Sequence, residues 1–105
     1  MRISTNLYAG PLAAPRRSEI LDKLQRGGAL PLVYVLTGSL QAGELIDIYS
    51  VGEFRRDFVQ RENPLVIGIA IGKKESFQVA KTIITELYER NGAVNIDASF
   101  DTSDT

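Results

Sequence analysis

Gly68-Ile69-Ala70-Ile71-Gly72-Lys73-Lys74 joins an apolar run to a helix-periodic segment, which is where a phosphate-binding loop would stand. A P-loop needs four residues between its glycines and a Ser or Thr directly after its lysine. Here three residues separate Gly68 from Gly72, and all three belong to the apolar run. No loop of backbone N–H groups is available to wrap a phosphate. What survives is the start of a long helix, whose first N–H groups attract anions and beside which Lys73 and Lys74 add positive charge. Gly72, Lys73 and Lys74 are therefore the candidate ligand-binding residues, for a small anion or a nucleic-acid phosphate. Glu75 and the Ser76 hydroxyl can cap the same helix end from within, and internal capping is the favoured reading.

Other chemistry is restricted by what is missing. The chain has neither histidine nor cysteine. That removes the usual general base, thiolate nucleophiles, Ser-His-Asp and Cys-His arrangements, and zinc or iron–sulfur sites built on these residues. Carboxylates, lysine and tyrosine remain. Asp47 and Asp97 sit among apolar neighbours and would make an acid–base or Mg²⁺ pair if they met. They are expected on opposite sheet edges, as charges that discourage edge-to-edge pairing. Tyr34, Tyr49 and Tyr88 are candidate pocket walls, with Tyr34 read as core and Tyr88 as part of a helix's inner face. Arg55, Arg56 and Arg61 with Lys73, Lys74 and Lys81 would form a nucleic-acid surface if two helices shared a sheet face. Asp57, Glu62 and Glu75 interleave them, so a mixed surface is expected. Arg16, Arg17, Lys23 and Arg26 are broken up in the same way by Glu19 and Asp22. No catalytic residue, metal or cofactor is expected.

The elements that must position these residues follow from hydrophobic periodicity. Residues 65–71 are an unbroken apolar run, so a strand buried on both faces. Phe77, Ala80, Ile83, Ile84, Leu87 and Tyr88 recur at helical spacing over residues 74–90, and Asn91-Gly92 stops them. Val94, Ile96, Ala98 and Phe100 alternate with polar residues, which predicts a half-buried strand over residues 94–100. Residues 16–26 form a helix opened by Pro15 and closed by Gly27-Gly28. Residues 32–36 and 45–49 make a hairpin. Ser50-Val51-Gly52-Glu53 is a capping box, and the helix it starts runs over residues 51–62 with Phe54, Phe58 and Val59 inward and Arg55, Arg56 and Arg61 in water.

The fold class is therefore α+β: one four-stranded mixed sheet with element order α-β-β-α-β-α-β. Strands 3 and 4 would be parallel through a crossover helix, in spatial order 2-1-3-4; a sequential order is the alternative. Residues 1–14 form an N-terminal arm, residues 15–100 one domain, and residues 101–105 a polar tail.

The chain's 105 residues suffice for one domain, and its 44% apolar content is that of a globular chain. A net charge of −1 provides no broad field to gather nucleic acid or anionic membrane. No apolar run approaches the ~20 residues of a membrane span, and no signal peptide is read at the N-terminus. Val33-Tyr34-Val35-Leu36-Thr37, a hairpin, Ile48-Tyr49-Ser50, then Val66-Ile67-Gly68-Ile69-Ala70 ahead of a long helix resembles a family of small uncharacterised bacterial proteins from Gram-positive gut bacteria and their mobile elements. The resemblance spans residues 31–100. It implies a cytoplasmic bacterial protein and brings no activity. The sequence thus points to a non-catalytic cytoplasmic interaction module. Three modest helices leave too little cover for two fully apolar strands, and a homodimer that buries the remainder is expected.

Overall fold

The computed structural model describes residues 2–39, 43–56 and 63–101. Within them the chain forms β1 (Arg2–Ala9), a 3₁₀ turn (Ala14–Arg16), α1 (Arg17–Arg26), β2 (Val33–Gly38), β3 (Ile46–Ser50), α2 (Val51–Phe54), β4 (Leu65–Ile71), α3 (Lys73–Asn91) and α4 (Ile96–Ser99). The strands form one mixed sheet in the order β1-β4-β2-β3. β1 runs parallel to β4, and β2 runs antiparallel to both β4 and β3.

The apolar run places β4 inside the sheet, as its composition requires, with α1 on one face and α3 on the other. α1 buries Ile20 and Leu24 among Val33, Val35, Val66 and Ile69, joined by Val51 and Phe54 of α2. α3 buries Val79, Ile83 and Leu87 against Leu36, Ile67 and Ala70. Side chains along a regular strand alternate between faces. In β4 the alternation slips at Gly68, because Val66 and Ile69 share the α1 face while Ile67 and Ala70 share the other. The register with β2 and with β1 shifts at the same place. Gly68 also allows α3 to approach, since a Cβ there would lie 3.2 Å from Val79 Cγ1 and 3.3 Å from Leu36 Cβ.

The hairpin, the inner position of 65–71 and the adjacency of the three expected strands agree with the sequence reading. The fourth strand does not. Residues 94–100 contain the single turn α4, whose N-cap Asn95 accepts a hydrogen bond from Ala98 N at 3.2 Å. An alternation this short also fits one helical turn laid across a sheet, and the Asn95 cap decides between them. Strand order 2-1-3-4 is corrected accordingly: the fourth place belongs to β1, and the parallel pair is β1–β4 rather than one formed through α3. Part of the expected N-terminal arm is thus an edge strand. Its outer side is fastened by Thr5 N, which donates to Asp101 O at 3.1 Å, and by Asn6, whose Oδ1 accepts from Asp101 N at 2.9 Å.

The capping box forms in full, with Glu53 N donating to Ser50 Oγ at 3.2 Å and Ser50 N to Glu53 Oε1 at 3.0 Å. Phe54 is buried as expected, while Phe58, Val59 and Arg61 lie outside the described residues. Arg55 does not face water. Its guanidinium donates to Gly28 O at 2.8 Å and Lys23 O at 3.1 Å, closing the carbonyl end of α1.

α3 requires the largest correction. Its buried face is Glu75, Ser76, Val79, Ile83 and Leu87. Phe77 and Tyr88, expected inward, are 55% and 62% exposed. The sheet face expected to lack cover has α1 and α2 on it, and the exposed apolar surface is on a helix instead.

Ile83→Asp should destabilise the fold by at least about 3 kcal/mol, because a carboxylate would enter a closed core. Tyr88→Ser, measured in dilute protein, should stay within about 0.5 kcal/mol of wild type. Thermal melts of the two variants test which face of α3 is inward. Ser50→Ala should cost about 1 kcal/mol near neutral pH. The Ser50 hydrogen bonds hold Glu53 below the usual carboxylate range, so the Glu53 share of this cap is present at neutral pH. It is lost as pH falls through that lowered pKa, and denaturation at stepped acid pH should show the mutational gap narrowing.

Candidate functional site

β1 and β4 are parallel neighbours, and the chain leaves them toward opposite faces: from β1 to α1 on one side, from β4 to α3 on the other. That is a topological switch point, the crevice where open α/β sheets take their ligands. The loop after β1 and the start of α3 form its two walls.

The crevice is filled by the chain's own carboxylate. Glu75 is 5% exposed. Its Oε2 accepts from Leu12 N at 2.8 Å, and its Oε1 accepts from Ile71 N at 3.0 Å and Ala13 N at 3.3 Å. The carboxyl group presses so close to the β1 loop that a Cβ on Gly10 would lie 2.2 Å from Glu75 Cδ, so only glycine fits there. Ser76, fully buried, turns its hydroxyl to Lys73 O. Gly72 makes the sharp exit from β4 at φ +87°, a conformation that suits glycine, and its N–H donates to Leu32 O at 2.7 Å.

The expected internal cap does not form: α3 has no side-chain cap, and Ser76 donates to a carbonyl instead of accepting from an N–H. Glu75 ties α3, the last residue of β4 and the β1 loop into one joint. The three backbone donors committed to it belong to Leu12, Ala13 and Ile71. Gly72, Lys73 and Lys74 stand beside this joint, with both lysines exposed. The rim is apolar as well as basic, since Leu12 and Leu32 are 62% and 74% exposed.

The remaining candidates do not converge. Asp47 lies on β3, where it accepts from the Tyr49 hydroxyl at 3.3 Å. Asp97 lies on α4, exposed. Among the described residues no group of three acidic side chains stands close enough to hold a metal ion. Burial first, and the Asp47 charge second, push the Tyr49 hydroxyl above its ordinary pKa, which leaves it protonated and a poor base. Tyr34 is half-buried on the α3 face of β2. Tyr8, which the sequence did not single out, lines a shallow cleft of about 260 Å³ with Asn6, Glu86, Arg90 and Phe100. Its hydroxyl donates to Glu86 Oε1 at 2.8 Å, and Arg90 Nη2 stands 3.9 Å from the same carboxylate. Burial and the Glu86 charge raise the Tyr8 pKa. These groups satisfy one another and hold β1 to the end of α3.

The outward face of α3 is the feature left with no internal task. At 100° per residue, Phe77, Lys81, Ile84 and Tyr88 fall within an arc of about 60°. Lys73, Lys74 and Asn91 border the arc, and no acidic residue lies between them. Ile84 is half-buried, and the two aromatics expose most of their area. Periodicity in the sequence places the apolar members of this stripe, Phe77, Ile84 and Tyr88, in the core and Lys81 on a basic surface; in the structure Phe77 and Tyr88 are exposed.

No protein family, curated protein or solved structure matches this chain. Among the described residues no helix is long and apolar enough to cross a membrane.

Glu75→Gln should cost about 1–3 kcal/mol, because an amide has one acceptor oxygen for three backbone N–H groups and adds donors of its own. Inorganic phosphate or nucleotides should not shift the wild-type melt, since the Glu75 side chain fills the crevice. A phosphate-dependent rise in the wild-type melting temperature, abolished by Lys73→Glu with Lys74→Glu, would instead establish the anion site at Gly72, Lys73 and Lys74.

Proposed function

We propose that this chain is a non-catalytic interaction module that works through the outward face of α3 and associates with itself. One observation carries the reading: Phe77 and Tyr88 present 55% and 62% of their surface to solvent on a single stripe with Ile84. Exposed aromatics grouped in this way are a feature of binding surfaces, where they supply large contact areas from few rotatable bonds. The switch-point crevice, the other place a ligand would use, is closed by Glu75. A cysteine-free sequence fits the reducing cytoplasm, where we place the protein.

Phe77→Ser with Tyr88→Ser tests the reading. Both side chains are exposed, so the double variant should melt close to the dilute wild type. Light scattering across a dilution series should show wild-type mass rising above the 11.5 kDa of one chain at high micromolar concentration and the double variant staying near it. A wild-type mass that never leaves the single-chain value rejects self-association.

A further inference from the structure

Resting on that reading, we infer that the partner of the α3 stripe is the α3 of a second copy, packed antiparallel across a two-fold axis. In an isologous pair, residue i of one chain meets residue j of the other and j meets i. A surface can serve only if its two halves complement each other. The α3 stripe has that property about a point between Thr82 and Ile83.

Phe77 and Tyr88 lie at equal distances on either side of this point and on the same exposed arc. An antiparallel pair sets Phe77 of each chain against Tyr88 of the other, giving two aromatic contacts. Ile84 then faces Lys81 of the second chain, whose stem lies along it while the charge reaches out to the flank, and Ala80, half-buried like Ile84, leaves room beside them. Lys74 and Glu89 lie on the same flank of the stripe, one near each end. The same operation brings Lys74 of each chain beside Glu89 of the other, and opposes the two helix dipoles favourably. A parallel pair would leave Lys74 of one chain about 22 Å along the axis from Glu89 of the other, so this charge pair forms only in the antiparallel arrangement.

The absence of native cysteine gives a clean test in the full-length chain. Lys73→Cys and Asn91→Cys are made in separate chains, both at exposed positions that spare the aromatics and lie on the same flank of the stripe. A disulfide closes only when the two Cα atoms come within about 7 Å. In the antiparallel pair, position 73 of one chain adjoins position 91 of the other, while two copies of position 73 stand about 28 Å apart at 1.5 Å per residue. Mild oxidation of an equal mixture should therefore give the mixed 73–91 dimer in large excess over like-with-like products. A charge exchange supplies an independent arm. Lys74→Glu should reduce the dimer fraction in light scattering, and Lys74→Glu with Glu89→Lys in one chain should restore it.

Like-with-like disulfides in excess would overturn the antiparallel seam. So would a dimeric mass with no disulfide at all, or failure of the charge exchange to restore the dimer; each of these leaves self-association standing on another surface. A wild-type chain that remains single at high micromolar concentration overturns both the seam and the reading on which it rests.

Discussion

β4 carries no polar side chain, so it must be covered on both faces, and its backbone must be paired on both edges. Every larger element answers one of those demands. β2 takes one edge, α1 with α2 one face, and α3 the other face. The remaining edge falls to β1, an otherwise weakly patterned segment. Because β1 is parallel to β4, the loops that follow the two strands emerge side by side, and a crevice forms between them. That crevice is a by-product of covering β4 on both sides.

How the crevice is filled sets this sheet apart from open α/β sheets that take a ligand at the switch point. A buried carboxylate needs donors, and three backbone N–H groups supply them to Glu75. The arrangement fastens the β1 loop to α3 without any bound group. The sheet's customary ligand position is thereby filled by the chain itself, and the exposed aromatic surface lies on a helix face.

Features coded by neighbouring residues were legible in the sequence. The apolar run of β4, the Ser50–Glu53 capping box and the Gly27 stop of α1 each depend on a few adjacent residues. β1 was not legible, because Thr5, which regular alternation puts on the same face as Ile3 and Leu7, is polar and exposed, and the ladder to β4 shifts between Ile3 and Tyr8. α3 misled for a different reason. It has two apolar stripes, and periodicity alone does not say which is inward. The inward one opens with Glu75 and Ser76, two polar residues that become core only because the β1 loop and Lys73 O provide their partners. Arg55 was placed in water for the same kind of reason: its acceptors are carbonyls of α1, roughly thirty positions away, and side-chain type does not reveal them.

The parallel pairing of β1 with β4 fixes an order of events during synthesis. Arg2 faces Leu65 and Ile3 faces Val66, so the partners are separated by more than half the chain. The β2–β3 hairpin and the α2 cap are local and can form as soon as they emerge from the ribosome. β1, although made first, has no edge to join until β4 exists. Closing so long a loop is slow compared with forming a hairpin. During that interval Ile3 and Leu7 remain uncovered, and the nascent chain carries an unpaired strand that an adjacent chain can capture.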